Sequence, residues 1–217
     1  MAVRPAGVRR GARAARGRVA HGTLAPGTPA VRIVGGKHRG RTLSAPPGRD
    51  VRPTSDRTRQ ALFNILAHCD WGPDGESPLD GAVVLDAFCG TGALALEALS
   101  RGAQRAVLLD MARGSLDSAR ANAAALGESA NARVLRGDAT KPPPPAEPVT
   151  LAFLDPPYGR GLGEKALSAL SAGGWFAPEA LVILEEAASA AVTVPEGFTP
   201  LDERVYGDTR VTFLRWG

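Results

Sequence analysis

The chain predicts an α/β protein built on a doubly wound, mostly parallel sheet. Three observations carry that expectation: strand-like and helix-compatible stretches alternate from residue 83 to 185, a glycine turn joins the first of these strands to its helix, and the fourth strand stops abruptly in Asp155-Pro156-Pro157-Tyr158. Strand-like runs fall at 83–87, 105–110, 132–136, 149–155 and 180–185, with helix-compatible stretches at 92–101, 112–126 and 162–171. Beyond them, 190–194, 203–207 and 210–216 read as strands with no helix between, which predicts an antiparallel close to the sheet.

Ahead of the sheet the pattern is different. VRIVGGKHRGRTLSAPP, from Val31, predicts two short strands around Gly35-Gly36, an edge-like basic hairpin. A helix over 57–69 follows, with Leu62, Ile65, Leu66 and Cys69 on one stripe. Thr54 or Ser55 is its expected cap, and Asp56 suits its positive end. DWGPDGESPLDG, 70–81, is a loop by composition, and Pro142–Pro145 a stiff one. Residues 1–30 hold six Arg and no acid, without sustained apolar periodicity. The expected organisation is a disordered basic tail over 1–30, a basic hairpin and helix over 31–69, and the main α/β domain over 70–217.

The totals narrow the class. At 217 residues and 44% hydrophobic content the chain has material for one substantial core, and its longest apolar stretch, Ala82 to Leu99, is broken by Asp86, Gly90, Gly92 and Glu97, unlike a membrane span. Cys69 and Cys89 stand outside any CxxC spacing, and His21, His38 and His68 form no ligand pair, so neither a disulfide framework nor a metal site is expected, and a reducing, cytoplasmic setting fits. Net charge is +4, unevenly spread: residues 1–60 carry 14 Lys and Arg against Asp50 and Asp56, or +12, leaving −8 on the remainder. A basic N-terminal third on an acidic body suits a polyanion held at one end while chemistry proceeds at the other.

VVLDAFCGTGALALEAL, 83–99, reads as strand, glycine turn and helix, a place for a nucleotide-like ligand beside the free N–H groups of the helix start. Gly90-Thr91-Gly92-Ala93-Leu94-Ala95 with Asp110 twenty residues after Gly90 also fits a NAD fingerprint. Asp86 favours S-adenosylmethionine instead, because a carboxylate there repels a pyrophosphate but attracts an ammonium and a sulfonium. Asp138 is placed to accept from an adenine amine, or else to serve as a turn aspartate. Cys89 reads as a small buried thiol rather than a nucleophile.

The Asp155-Pro156-Pro157-Tyr158 turn ends a strand at the carboxyl edge of the sheet, where ligands of open α/β sheets lie. Two prolines fix the turn and withhold N–H groups, leaving carbonyls to face a substrate. Tyr158 offers a flat face to an extruded base. An exocyclic base amine is a poor nucleophile, so hydrogen bonds from it to the Asp155 carboxylate and Pro156 carbonyl would work by orienting it.

Taken in order, RIVGGKHRGR, RPTSDRTRQALFNIL, LDAFCGTGALALEALSRGA and FLDPPY resemble the bacterial 16S rRNA guanine-N2 methyltransferase family, over about residues 31–217. That resemblance implies a Rossmann-like class I methyltransferase with a seven-stranded sheet, S-adenosylmethionine as cofactor, and guanine N2 of 16S rRNA in the small ribosomal subunit as target. By position it places cofactor contacts on Asp86, Cys89, Gly90, Gly92, Asp110, Asp138 and Ala139, and the catalytic motif on Asp155, Pro156, Pro157 and Tyr158. It places RNA contacts on Arg39, Arg41, Arg52, Thr54, Arg57 and Arg59. The chain departs from the family in having Asp110 where Glu is usual, Ala112 where a second acid often follows, and a 30-residue basic extension. A DNA adenine-N6 methyltransferase, a NAD oxidoreductase and a non-catalytic RNA-binding assembly factor remain the alternatives at this point.

Overall fold

In a computed structural model, the structure describes residues 31–45, 56–72 and 75–217. The basic tail, and with it Arg52, Thr54 and Ser55, lies outside the described residues. Nine strands and four α-helices follow in chain order among them: β1 (Val31–Arg32), β2 (Thr42–Leu43), α1 (Asp56–His68), β3 (Val83–Ala87), α2 (Ala93–Ser100), β4 (Arg105–Asp110), α3 (Arg113–Leu126), β5 (Ala132–Arg136), β6 (Val149–Leu154), α4 (Leu162–Ala172), β7 (Phe176–Ala187), β8 (Phe198–Tyr206) and β9 (Thr209–Trp216). Seven strands form one sheet in the order β5-β4-β3-β6-β7-β9-β8. Neighbours from β5 to β7 pair in parallel, while β9 runs antiparallel to both β7 and β8. The chain order reverses between β3 and β6, so the carboxyl ends of those two strands flank the switch-point crevice.

Burial on both faces explains the near-continuous apolar strands. On β6 and β7, Leu151, Phe153, Leu181 and Ile183 join the core beneath α1, α2 and α3, while Ala152, Leu154, Val182 and Leu184 join the core beneath α4. α1 presents Leu62, Phe63 and Leu66 to the first of these, and the Phe63 ring stands 5.5 Å from that of Phe153. One expected strand is corrected. Residues 190–194 are irregular, because β7 already has β6 and β9 as partners; their alternation of Val192 and Val194 with exposed residues comes from packing on the α4-side core.

α2 is buried from Leu94 through Ser100, and the N-terminal hairpin is the reason. Its connection is a 3-10 turn, Gly36–His38, seated on the C-terminal end of α2. Ser100 Oγ donates to the Gly35 carbonyl at 2.6 Å and accepts from the His38 N–H at 2.9 Å. Glu97, wholly buried, accepts from the Val34 N–H at 2.7 Å and from Arg101 Nε at 2.6 Å, and the Arg101 guanidinium lies 5.3 Å from the Phe63 ring centre. Gly36 has φ +72°, and a Cβ there would stand 1.8 Å from the Ser100 carbonyl oxygen. The glycine pair therefore serves close docking as much as the turn. Asn122 of α3 closes the arrangement, donating to the carbonyls of Ser44 and Thr91, each at 3.0 Å, and accepting from the Ser44 N–H at 2.8 Å.

A charge cluster fastens the same hairpin to the loop after α3. Glu128 meets Lys37 Nζ at 2.7 Å, His38 Nε2 at 2.6 Å and Asn131 Nδ2 at 2.8 Å. Burial pushes its carboxyl upward, but the hydrogen bonds from Asn131, Lys37 and His38 outweigh that and hold it down at about 2. A carboxyl depressed in the folded state lends stability above its unfolded pKa of 4.5 and loses it as pH falls towards 2. Glu128→Gln is expected to lower the melting temperature at pH 7 and to flatten its fall between pH 4.5 and 2; a curve parallel to that of the native chain would deny the cluster this role.

Candidate active site

The turn after β3 has a backbone that few residues adopt. Phe88, Gly90 and Gly92 have φ of +66°, +52° and +79°. The two glycines serve different ends. A Cβ on Gly92 would meet Leu108 Cδ2 at 2.5 Å, so Gly92 permits helix-to-sheet packing; a Cβ on Gly90 would find no atom within 4 Å, which leaves the backbone open to a ligand. Asp110, at the end of β4, holds this turn by accepting from the Gly90 N–H at 3.0 Å and the Ala112 N–H at 2.7 Å.

Asp86 lies one strand inward, 1% exposed, and accepts from the Ala95 N–H at 3.0 Å in the first turn of α2, which has no side-chain cap of its own. Burial pushes its carboxyl up to about 8, the nearby Asp110 charge adds to this, and the Ala95 N–H opposes it. Cys89 is buried, and burial first, then the charges of Asp86 and Asp110, holds its thiol far above the reactive range. Asp138 uses Oδ1 in a turn, accepting from the Thr140 N–H at 2.8 Å and the Thr140 hydroxyl at 2.7 Å. The Ala139 methyl belongs to the α4-side core, which leaves only its backbone for a ligand.

Across the switch point, Asp86 pairs with Phe153 and Ala87 with Leu154, so Asp155 leaves β6 beside the glycine turn. Asp155 is half-buried, Pro156 buried and Pro157 exposed. Tyr158 is not a free aromatic. Its hydroxyl donates to Glu185 Oε1 at 2.6 Å and lies 3.2 Å from Thr209 Oγ1; burial, then the Glu185 charge, holds the phenol above its ordinary range. The next residue is held as well, the Gly159 N–H donating to Glu186 Oε1 at 2.9 Å.

The basic residues divide. Arg39, Arg41 and Arg57 are exposed, and Arg41 also donates to the Ala125 carbonyl at 2.6 Å near the end of α3. Arg59 is 1% exposed and donates to the Arg32 carbonyl and to Asp56, fastening α1 to β1 rather than facing solvent. Glu185, Glu186 and Thr209 were missed by sequence reasoning. The available signal was the pair of acids that closes the apolar run ALVILEEA at the same sheet edge as Asp155.

A sheet in this order, with a glycine loop after β3 and an Asp-Pro-Pro-Tyr turn after β6, is the fold of a class I methyltransferase. The chain belongs to the family whose model is called Conserved hypothetical protein 95, which matches residues 31–215. It is 39% identical over 183 residues to ribosomal RNA small subunit methyltransferase D of Escherichia coli K12, covering 83% of this chain and 87% of that one. The protein of the same name from Haemophilus influenzae is 33% identical over 181 residues, 82% of this chain and 89% of that one. Among solved structures, a putative methyltransferase from Escherichia coli, yhhF, superposes with a TM-score of 0.74 at 38% identity, covering 87% of this chain and 98% of its own. TrmN from Thermus thermophilus gives a TM-score of 0.59 at 28% identity, over 73% of this chain and 48% of its own. The family resemblance carried by the sequence motifs holds.

Proposed function

We propose that the chain is an S-adenosylmethionine-dependent methyltransferase that modifies the N2 amine of a guanine in 16S rRNA of the small ribosomal subunit, in the cytoplasm. The observation that carries this reading is the Asp155-Pro156-Pro157-Tyr158 turn, fixed at the switch point beside an open glycine loop, in a chain whose relatives bear rRNA methyltransferase names. The donor set fits the cofactor. Asp86 is a buried carboxyl whose ionised form needs a neighbouring cation, Gly90 opens the backbone, and Asp110 stands where ribose hydroxyls are held. When bound, S-adenosylmethionine supplies an electrophilic methyl group.

The chain's own residues position the acceptor. The Asp155 carboxylate and the Pro156 carbonyl accept hydrogen bonds from the base amine and aim its lone pair; Tyr158 gives the base a stacking face whose orientation is set by the bonded hydroxyl. Asp155 is also the acceptor for the proton the amine loses, late in the reaction, because a carboxylate is too weak a base to remove it first. Label transfer from S-adenosylmethionine to small subunits and to their naked RNA tests the reading: incorporation into the 16S RNA supports it, and binding of cofactor without incorporation in either form counts against it.

Two further results are expected. A cationic ligand pairs with ionised Asp86, so below a pH of about 8 its binding has to expel a proton. Cofactor affinity should weaken by up to about tenfold per pH unit below that point. Asp86→Asn keeps an acceptor for Ala95 and should remove this share of the slope; identical slopes by calorimetry would contradict it. Replacing Arg39, Arg41 and Arg57 by Gln should weaken RNA binding and flatten its salt dependence, since each lost phosphate contact lowers the logarithmic slope by about 0.7–0.9. An unchanged slope would move the RNA surface elsewhere.

A further inference from the structure

β7 runs past the point where β6 ends. The β6–β7 ladder closes at Leu154 with Leu184, while β7 continues through Glu185, Glu186 and Ala187, held there by Val211, Arg210 and Thr209 of β9. The extension therefore brings two adjacent carboxylates, 5% and 4% exposed, alongside the turn that begins at Asp155. Strand alternation sends them to opposite faces: Glu185 follows Leu181 and Ile183 toward the α1–α3 side, and Glu186 follows Val182 and Leu184 toward the α4 side. Each reaches the turn. Glu185 Oε1 takes the Tyr158 hydroxyl at 2.6 Å, with Thr209 Oγ1 3.2 Å from the same hydroxyl, while Glu186 Oε1 takes the N–H groups of Gly159 at 2.9 Å and of Ala187 at 2.8 Å.

Buried carboxylates are costly, and a structural strand end needs neither. Ala or Leu at both positions would continue the apolar run of β7 and leave its ladder to β9 intact. What the two acids add is a clamp: one fixes the ring of Tyr158, the other fixes the backbone that leaves it. The prolines restrain the start of the turn through their own φ, but nothing in a proline sets the side-chain torsions of the following tyrosine.

We infer that Glu185 and Glu186 are positioning residues for methyl transfer, Glu185 together with Thr209 setting the plane of the Tyr158 ring and Glu186 the path of the turn after it. The inference rests on the proposed function, since it makes the ring the platform for the acceptor base. It assigns a division of labour within the site: Asp155 and Pro156 hold the amine, and β7 and β9 hold the surface against which the base lies. A platform tilted by a fraction of an ångström leaves cofactor binding untouched and misdirects the amine.

The test is steady-state label transfer from S-adenosylmethionine to unmodified small-subunit RNA, with calorimetric cofactor affinity and melting temperature measured beside it. Glu185→Ala and Tyr158→Phe are each expected to lower kcat on the order of 10- to 100-fold, with cofactor affinity within about twofold of native. The double variant should be no worse than the more impaired single one, because both remove one contact. Glu185→Gln, whose amide oxygen still accepts, should recover most of the rate lost in Glu185→Ala, and Glu186→Gln should likewise exceed Glu186→Ala. Should Glu185→Ala fail to fold, Tyr158→Phe and Thr209→Val read the same contact. Native kcat in Tyr158→Phe, multiplicative losses in the double variant, or losses that track the melting temperature alone would overturn the inference. No transfer by the native chain would overturn the proposed function itself.

Discussion

Asp155→Ala is expected to reduce methyl transfer by about 10²–10³-fold, the scale of losing one preorganised polar contact to the reacting group. Cofactor affinity should stay near native. The backbone reason is specific: the Asp155 N–H faces the Ala87 carbonyl at 3.5 Å and the prolines that shape the turn remain, so the substitution leaves the backbone course of the turn in place. Asp155→Asn is the sharper variant, because its amide still accepts one hydrogen bond from the amine but is a poorer proton acceptor. Activity well above that of Asp155→Ala would assign the larger share to orientation. Loss of cofactor binding in either would make Asp155 a residue of the cofactor site or of the fold.

Gly36→Ala is expected to have the largest structural effect of a single methyl group. The new Cβ meets a backbone carbonyl of α2 at 1.8 Å, which no side-chain rotation relieves, and the φ of +72° is itself unfavourable for alanine. Left-handed backbone costs about 1–2 kcal/mol, and overpacking about 1–3 kcal/mol. A total of about 3 kcal/mol corresponds to a fall of roughly 6–12 °C in melting temperature for a chain of this size. The hairpin carries Arg39 and Arg41, so transfer to RNA should drop further than the cofactor affinity does. A variant with native melting temperature and native RNA turnover would show that the hairpin need not sit where Gly36 places it.

Much of this was legible because strands buried on two faces and a glycine turn leave direct marks in sequence. The runs 83–87, 105–110 and 132–136 appear as β3, β4 and β5 with the same bounds, since each is bounded by loops or helix starts of different composition. The segment 190–194 misled, because a period-two pattern reports one buried face and not the presence of a strand partner. Arg59 misled for a related reason. Arg57 and Gln60 beside it are exposed, but its own position on α1 turns toward β1, where the Arg32 carbonyl receives it, with Asp56 one turn back on α1 as its second partner. The clamp on Tyr158 shows in the sequence only as the adjacent acids: Glu185 meets Tyr158 through the alignment of β7 with the end of β6, Thr209 through the antiparallel pairing of β9 with β7, and side-chain partners across a sheet are fixed by register, which composition does not encode. Sequence shows the charge of Asp86 but not its bond to the Ala95 N–H, which gives it a structural share in starting α2.

The identity of the methylated nucleoside tests the central claim most directly. Small subunits lacking the modification are incubated with the chain and labelled S-adenosylmethionine, their RNA is digested, and the labelled nucleoside is separated. Label in N2-methylguanosine, reduced by about 10²–10³-fold with Asp155→Ala, is the predicted result. Label in N6-methyladenosine, or transfer at near-native rate in Asp155→Ala, would contradict it.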